Sequence, residues 1–225
     1  MTWVLFGSVL ALAALTFYWL LILTEGTYLG AGLVTWLYDV VASRYDRAKG
    51  LTFVGEMRCI GIPLTEALSD VEDPQILDVA TGTGRVPLAL LRTGDFAGDL
   101  YALDRSREMV AEGRAAHEEL AAVRTVRGDA RALPFEDSAF DAVVCLEALE
   151  FISEPEVAIV EMTRVLAPGG VMLLSNRVGS DAWWFPRRMV GRGRLEEYLG
   201  QIGLDDVRMV RWQVHYDLVW ASRPG

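Results

Sequence analysis

Three aspartates, Asp78, Asp104 and Asp129, each stand at or near the end of a short apolar run, and the first is followed by Thr81-Gly82-Thr83-Gly84. Glycines after a strand permit a tight strand-to-helix turn and close backbone approach to a ligand, and Pro87 suits the first turn of the helix that follows. A Gly-x-Gly turn also serves dinucleotide binding, but that fingerprint wants Gly or Ala where this chain has Pro87. Asp78, just ahead of the turn, would repel a pyrophosphate and attract a cation. Asp104 follows Gly82 by 22 residues, the place of an acid that accepts hydrogen bonds from ribose hydroxyls. By itself that spacing fits either kind of nucleotide cofactor.

For these residues to meet, the chain must bring the ends of several strands together. After Pro74, apolar runs at 76–80, 100–103, 123–126, 142–146 and 171–174 read as strands, and the mixed stretches 86–91, 107–122 and 156–166 read as amphipathic helices between them. The alternation predicts an α/β fold with a Rossmann-like doubly wound sheet, mostly parallel, whose ligand lies beyond the carboxyl ends of the strands. The runs 207–214 and 216–221 have little between them and predict an antiparallel C-terminal hairpin at the sheet edge.

Further along come Gly128-Asp129-Ala130-Arg131-Ala132-Leu133-Pro134-Phe135, Phe140-Asp141-Ala142-Val143-Val144-Cys145 and Arg164-Val165-Leu166-Ala167-Pro168-Gly169-Gly170. With segment 77–84, these four motifs in order resemble those of class I S-adenosylmethionine-dependent methyltransferases, and the likeness covers about residues 34–221. The segment from Trp36 to Asp46 is similar to the N-terminal helix of the ubiquinone and menaquinone C-methyltransferase group and of the related phospholipid N-methyltransferases. The resemblance implies S-adenosyl-L-methionine as cofactor. It implies that Asp78 and the loop of Thr81, Gly82, Thr83 and Gly84 hold the methionine part, Asp104 the ribose, and Asp129 and Ala130 the adenine, with Ala80 and Arg105 also among the cofactor-binding residues. Tyr45 would close over the cofactor and Leu146 would line the methionine channel. Met109 is set against the adenine ring by the resemblance, and in the ordinary core by its helix. Ala80 stands where the family commonly has glycine, so φ there is expected to stay negative.

The 225 residues carry a net charge of −10. That disfavours a nucleic-acid partner, whose phosphates call for clustered Lys and Arg. Cys59 and Cys145 stand far apart in apolar surroundings without metal-ligand spacing, so no metal site and a reducing compartment are expected. Hydrophobic residues make up 52% of the chain, and the excess over an ordinary soluble domain sits at its start. Residues 3–23 are uncharged, and as a helix they would span about 31 Å, the thickness of a hydrocarbon core. The stretch lacks a basic n-region and a small-x-small cleavage site and is longer than a signal-peptide core, so it reads as an uncleaved anchor.

Residues 1–25 are therefore expected as a transmembrane anchor, 26–49 as an amphipathic connecting helix and 50–225 as the methyltransferase domain. On the connecting helix Leu33, Trp36, Leu37, Val40 and Val41 share a face opposite Asp39, Ser43 and Asp46; such a helix can lie in the membrane interface or pack on the domain. Arg44, Arg47 and Lys49 favour a cytoplasmic C-terminal side. The expectation is a single-pass membrane protein whose catalytic domain faces the cytoplasm.

A cofactor that brings its own activated methyl group needs the protein chiefly to align an acceptor and exclude water. A base is required only where the acceptor loses a proton. Glu147, Glu150, His215 and Tyr216 are the candidates, none of them in a diagnostic motif. Between the fifth strand and the hairpin, Asp181-Ala182-Trp183-Trp184-Phe185-Pro186-Arg187-Arg188 sets aromatics beside arginines, as suits a membrane interface. Trp183, Trp184, Arg187 and Arg188 are therefore expected to meet the acceptor, an amphiphile of phospholipid or prenyl-quinone type drawn from the lipid bilayer. Two other functions fit the sequence: a tethered methyltransferase of a small soluble metabolite, and a non-catalytic cofactor-binding membrane protein. The intact aspartates speak against the last.

Overall fold

The computed structural model describes residues 2–50 and 54–225. Helix α1, Thr2–Tyr18, runs on through a π-helical turn, Trp19–Leu23, and none of its residues is buried against the rest of the chain. Together they make one helix, Thr2–Leu23, long and apolar enough to cross a membrane. A 3-10 turn, Thr27–Leu29, leads into α2, Ala31–Lys49, which ends at Gly50 in the left-handed conformation. Two short helices, α3 (Val54–Glu56) and α4 (Ile62–Ala67), flank a π-helical turn.

The strands are β1 (Gln75–Val79), β2 (Asp99–Asp104), β3 (Arg124–Arg127), β4 (Phe140–Cys145), β5 (Leu166–Arg177), β6 (Asp205–Arg211) and β7 (Tyr216–Ser222), in the order β3-β2-β1-β4-β5-β7-β6. The first five are parallel, and β7 runs antiparallel between β5 and β6. The anticipated hairpin is present, with its second strand inside. Composition explains the choice: β7 is buried from Tyr216 to Ala221 and apolar there except for Asp217, which Arg192 pairs, whereas β6 carries Asp205, Asp206, Arg208 and Arg211 and takes the solvated edge.

Helices α5 (Arg85–Leu91), α6 (Arg107–Ala116), α7 (Pro155–Val165) and α8 (Arg194–Gln201) complete the layers. The stretch 107–122 divides, because His117 is extended and a separate 3-10 turn, Glu118–Ala122, follows. Strand alternation sorts the core onto the two sheet faces. Leu77, Val143 and Met172 pack with Ile159, Met162, Leu195 and Leu199 of α7 and α8 on one face. Ile76, Val144 and Leu173 pack with Leu64, Leu88 and Leu90 of α4 and α5 on the other. A sheet covered on both sides in this way leaves the carboxyl ends of its strands as the open place for a ligand.

Candidate functional site

The ends of β1, β2 and β4 open into one cavity of about 1100 Å³, counting its mouth. Its floor is the turn after β1, where each aspartate has a defined task. Asp78 is buried and accepts a hydrogen bond from Thr81 Oγ1 at 2.6 Å. Burial pushes its carboxyl up to about 7, against the Thr81 hydroxyl that favours the charged form. Asp104 accepts from the Gly82 N–H through Oδ2 and from the Ser106 N–H through Oδ1, each at 2.8 Å, tying the glycine turn to the end of β2. Its carboxyl is also raised by burial. An ionised carboxylate has about four lone-pair sites, so these two bonds leave room for two hydroxyl donors.

Two residues of the turn differ from expectation. Ala80 does not keep a negative φ: it adopts the left-handed conformation at φ 58. The turn imposes that conformation whatever residue stands there, at a cost of about 1–2 kcal/mol for a residue with a Cβ. Gly84 lies behind the turn rather than on the cavity wall, and a Cβ there would come within 2.7 Å of Leu120 Cδ1. Its role is packing at a left-handed helix N-cap.

The far wall is formed by Leu103, Met109, Gly128, Asp129, Ala130 and Arg131. Met109 satisfies both of its expectations, since it is buried in the core and also lines the cavity. The Asp129 carboxylate is also ion-paired at this wall. It receives Arg105 Nη1 at 2.9 Å, Arg131 Nη2 at 2.8 Å and the Arg131 N–H at 3.1 Å, and the Arg131 bonds hold it below the usual carboxylate range. Arg105, expected among the cofactor-binding residues, lines the cavity and is also a partner of that acid. Gly128 and Ala130 reach the cavity beside it.

Helix α2 roofs the cavity with Ala31, Val34, Thr35, Tyr38 and Tyr45. Three side-chain contacts hold it down: Ser106 Oγ to Asp39 Oδ1 at 2.5 Å, Thr83 Oγ1 to Asp46 Oδ1 at 2.6 Å, and Lys49 Nζ to Glu147 Oε2 at 2.9 Å. Sequence patterning identified the amphipathic helix but not which face turns inward. Asp39 and Asp46 face the domain, while Trp36, Val40 and Val41 are exposed. The aspartates find partners 67 and 37 positions away in the chain, which periodicity alone does not register.

Leu146 and Glu147 follow β4 and line the cavity, Glu147 at φ 51. Burial raises the Glu147 carboxyl, but Lys49 and Arg85 outweigh it and bring the group below its ordinary value. Arg85 joins Glu147 at 2.5 Å and Glu56 at 2.7 Å. Such an ion pair makes Glu147 a clamp and a poor base. Glu150 and Tyr216 form a separate buried pair, hydrogen-bonded to each other, with Arg177 Nε 3.0 Å from Glu150. Burial raises the Glu150 carboxyl despite Arg177, and burial raises the Tyr216 phenol strongly. His215 stands apart, 3.2 Å from Asp181. Of the four candidate bases, only Glu147 reaches the cavity wall.

The segment that follows β5 meets the N-terminal helix rather than the cavity. Trp19 Nε1 donates to Trp184 O at 3.2 Å, Tyr28 OH donates to Pro186 O at 2.8 Å, and Tyr38 OH donates to Glu25 Oε2 at 2.8 Å. Trp183, Trp184 and Arg187 are exposed. Arg188 departs from the expectation that it meets the acceptor. It is buried, donates to Thr27 O, Ile152 O and Ser153 O at 2.6–3.0 Å, and stacks its guanidinium 5.1 Å over the Tyr28 ring. Its charge stitches the base of the N-terminal helix to the loop after β4.

Residues 77–174 match the family model of a methyltransferase domain. The demethylmenaquinone methyltransferase of Clavibacter sepedonicus is 36% identical over 143 residues, 64% of this chain and 57% of its own. The ubiquinone/menaquinone biosynthesis C-methyltransferase of Roseobacter denitrificans is 33% identical over 147 residues, 64% of this chain and 58% of its own. The chain thus spans rather more than half the length of these relatives. A structure from Methanococcus maripaludis, described as an S-adenosyl-L-methionine-dependent methyltransferase, superposes with a TM-score of 0.62 at 17% identity, over 83% of this chain and 94% of that one. The cyclase SpnF superposes with a TM-score of 0.61 at 24% identity, over 75% and 80%. At such identities the likeness is one of fold, and one fold serves more than one reaction.

Proposed function

We propose that the chain is a class I S-adenosylmethionine-dependent methyltransferase and that it methylates an amphiphilic acceptor, of prenyl-quinone or phospholipid type, drawn from a bilayer in which its N-terminal helix is anchored. The catalytic domain then faces the cytoplasm, where the cofactor is made.

The cavity's donor set suits the cofactor. A buried Asp78 complements a cationic amino-acid portion, Asp104 retains lone pairs for ribose hydroxyls, and Leu103, Met109 and Ala130 offer an apolar wall to a flat base. When bound, S-adenosylmethionine supplies an activated methyl group on its sulfonium. The residues of this chain bind and orient: the Thr81–Asp78 bond fixes the carboxylate, Asp104 fixes the turn, and Tyr38 and Tyr45 roof the site and exclude water. Alignment of this kind contributes up to about 7–11 kcal/mol to a transfer that needs little other help. Where the acceptor must lose a proton, Glu147 is too firmly paired to take it, and an acceptor that ionises on its own suits this site best.

The observation that carries the membrane acceptor is the junction at Glu25, Trp19 and Tyr28. The base of the apolar helix is hydrogen-bonded to Tyr38 of the roof and to the segment carrying Trp183 and Trp184. A bilayer holding Thr2–Leu23 would therefore lie beside the cavity roof. Relatives named for demethylmenaquinone and for ubiquinone and menaquinone biosynthesis support a lipid-soluble acceptor. The test pairs two variants of the full chain. Asp104→Ala is expected to weaken cofactor binding by about 1.5–3 kcal/mol in calorimetry, through loss of charge-assisted hydrogen bonds. Changing Trp183 and Trp184 together to Ala is expected to leave that affinity intact and to lower turnover on a demethylated prenyl-quinone in vesicles. Wild-type turnover by the double variant would instead favour a tethered enzyme acting on a small soluble metabolite.

A further inference from the structure

Helix α2 is covered on one side only. Its inner face presents Tyr38, Ala42 and Tyr45 and the hydrogen bonds of Asp39 and Asp46, whereas Trp36 and Val40 on its outer face are 57% and 60% exposed. An indole and neighbouring valines left to water are unfavourable in proportion to their area. The exposed apolar surface does not stop at α2. Leu29, just ahead of α2 in the chain, and Ile22, near the end of the Thr2–Leu23 helix, are exposed as well. In the other direction the outer face becomes basic, with Arg44 and Arg47 exposed in a chain of net charge −10.

An apolar half beside a membrane-length helix, followed by a basic half, matches the layering of acyl chains and phosphates at a bilayer surface. A second copy of the chain fits less well. The exposed residues of α2 include no acid that Arg44 and Arg47 of another copy could meet.

We propose that the outer face of α2 lies on an anionic bilayer beside the anchor, so that one helix is seated by lipid on one side and by the cofactor cavity on the other. This rests on the membrane placement proposed above. Because Asp39, Asp46 and Lys49 of the same helix hold Ser106, Thr83 and Glu147, ordering α2 on lipid also orders the roof. Lipid contact and cofactor binding are then thermodynamically linked, each strengthening the other.

The experiment uses the full chain, labelled with fluorotryptophan, in nanodiscs of phosphatidylcholine and phosphatidylglycerol that carry doxyl-labelled lipid. Trp→Phe variants assign the fluorine resonances. Trp36 is expected to broaden as Trp3 of the anchor does, while the buried Trp220 stays sharp. Cofactor affinity is expected to be at least about fivefold tighter in anionic nanodiscs than in neutral detergent. Changing Trp36 and Val40 to Asp is expected to abolish that gain without altering the affinity in detergent. Trp36 as sharp as Trp220 beside a broadened Trp3 overturns the inference and leaves the anchor standing. A sharp Trp3 overturns the membrane placement itself. Trp36 protected in a concentration-dependent dimer would replace lipid with a second copy.

Discussion

Asp46 accepts a hydrogen bond from Thr83 at 2.6 Å, and this one contact fastens the roof helix to the glycine turn beneath it. The two residues lie 37 positions apart, so the bond closes the cavity over whatever the turn holds. Thr83→Val removes the donor and keeps the shape. Cofactor affinity is expected to fall by about 1–2 kcal/mol, with faster amide exchange in residues 31–49. Unchanged exchange in that segment would show that the roof is held by its other contacts alone.

The buried Asp78 carboxyl, pushed up to about 7 from an ordinary 3.8, makes stability depend on pH. Between those values the folded ligand-free chain binds more protons than the unfolded chain, so its stability falls as pH rises through the window. The gap in thermal midpoint between Asp78→Asn and wild type should therefore widen, in favour of the variant, from about pH 4 to about pH 7. A cationic ligand needs the carboxylate, so cofactor affinity should rise over the same window with release of a proton. Calorimetry in buffers of different ionisation enthalpy measures that proton. A pH-independent gap and no proton release would remove Asp78 from both roles.

Ala80 sits in the left-handed region that glycine occupies without strain. Ala80→Gly is expected to stabilise the protein by about 1 kcal/mol, or roughly 2–4 °C in thermal midpoint, with cofactor affinity preserved. A lower midpoint would mean that the flexibility gained by the unfolded chain exceeds the strain relieved.

Arg187 and Arg188 are adjacent but differ in what they touch. Arg188→Ala leaves Thr27, Ile152 and Ser153 carbonyls without their donor and should destabilise the domain by about 2–3 kcal/mol. Arg187→Ala should leave the midpoint unchanged and weaken association with anionic vesicles by about 1 kcal/mol. Equal loss of stability in the two variants would contradict the burial of Arg188.

The sheet was legible because each strand is a short apolar run bounded by turn residues, and every predicted strand overlaps an observed one. The cofactor turn was legible for a related reason: its glycines and Asp78 are local in sequence and have few other uses. The facing of α2 was not legible, since periodicity separates two faces without saying which one has partners. Asp39 and Asp46 look like a solvated face until Ser106 and Thr83 are brought beside them by the sheet. Arg188 misled in the same way, because its partners are main-chain carbonyls that carry no sequence signal. Helix α8 was missed although Leu195 and Leu199 stand at helical spacing and are fully buried. Apart from Tyr198, those two leucines alone marked it, in a segment of only eight residues.

The most direct test follows the methyl group itself. Full-length protein in vesicles made from a bacterial lipid extract is given S-adenosylmethionine labelled in its methyl carbon, and the products are partitioned between organic and aqueous phases. Label in the organic phase that depends on Asp104 is the expected result, identified by chromatography as a methylated prenyl-quinone or phospholipid. Label confined to a water-soluble product, or no transfer by a protein that binds the cofactor, would contradict a membrane acceptor.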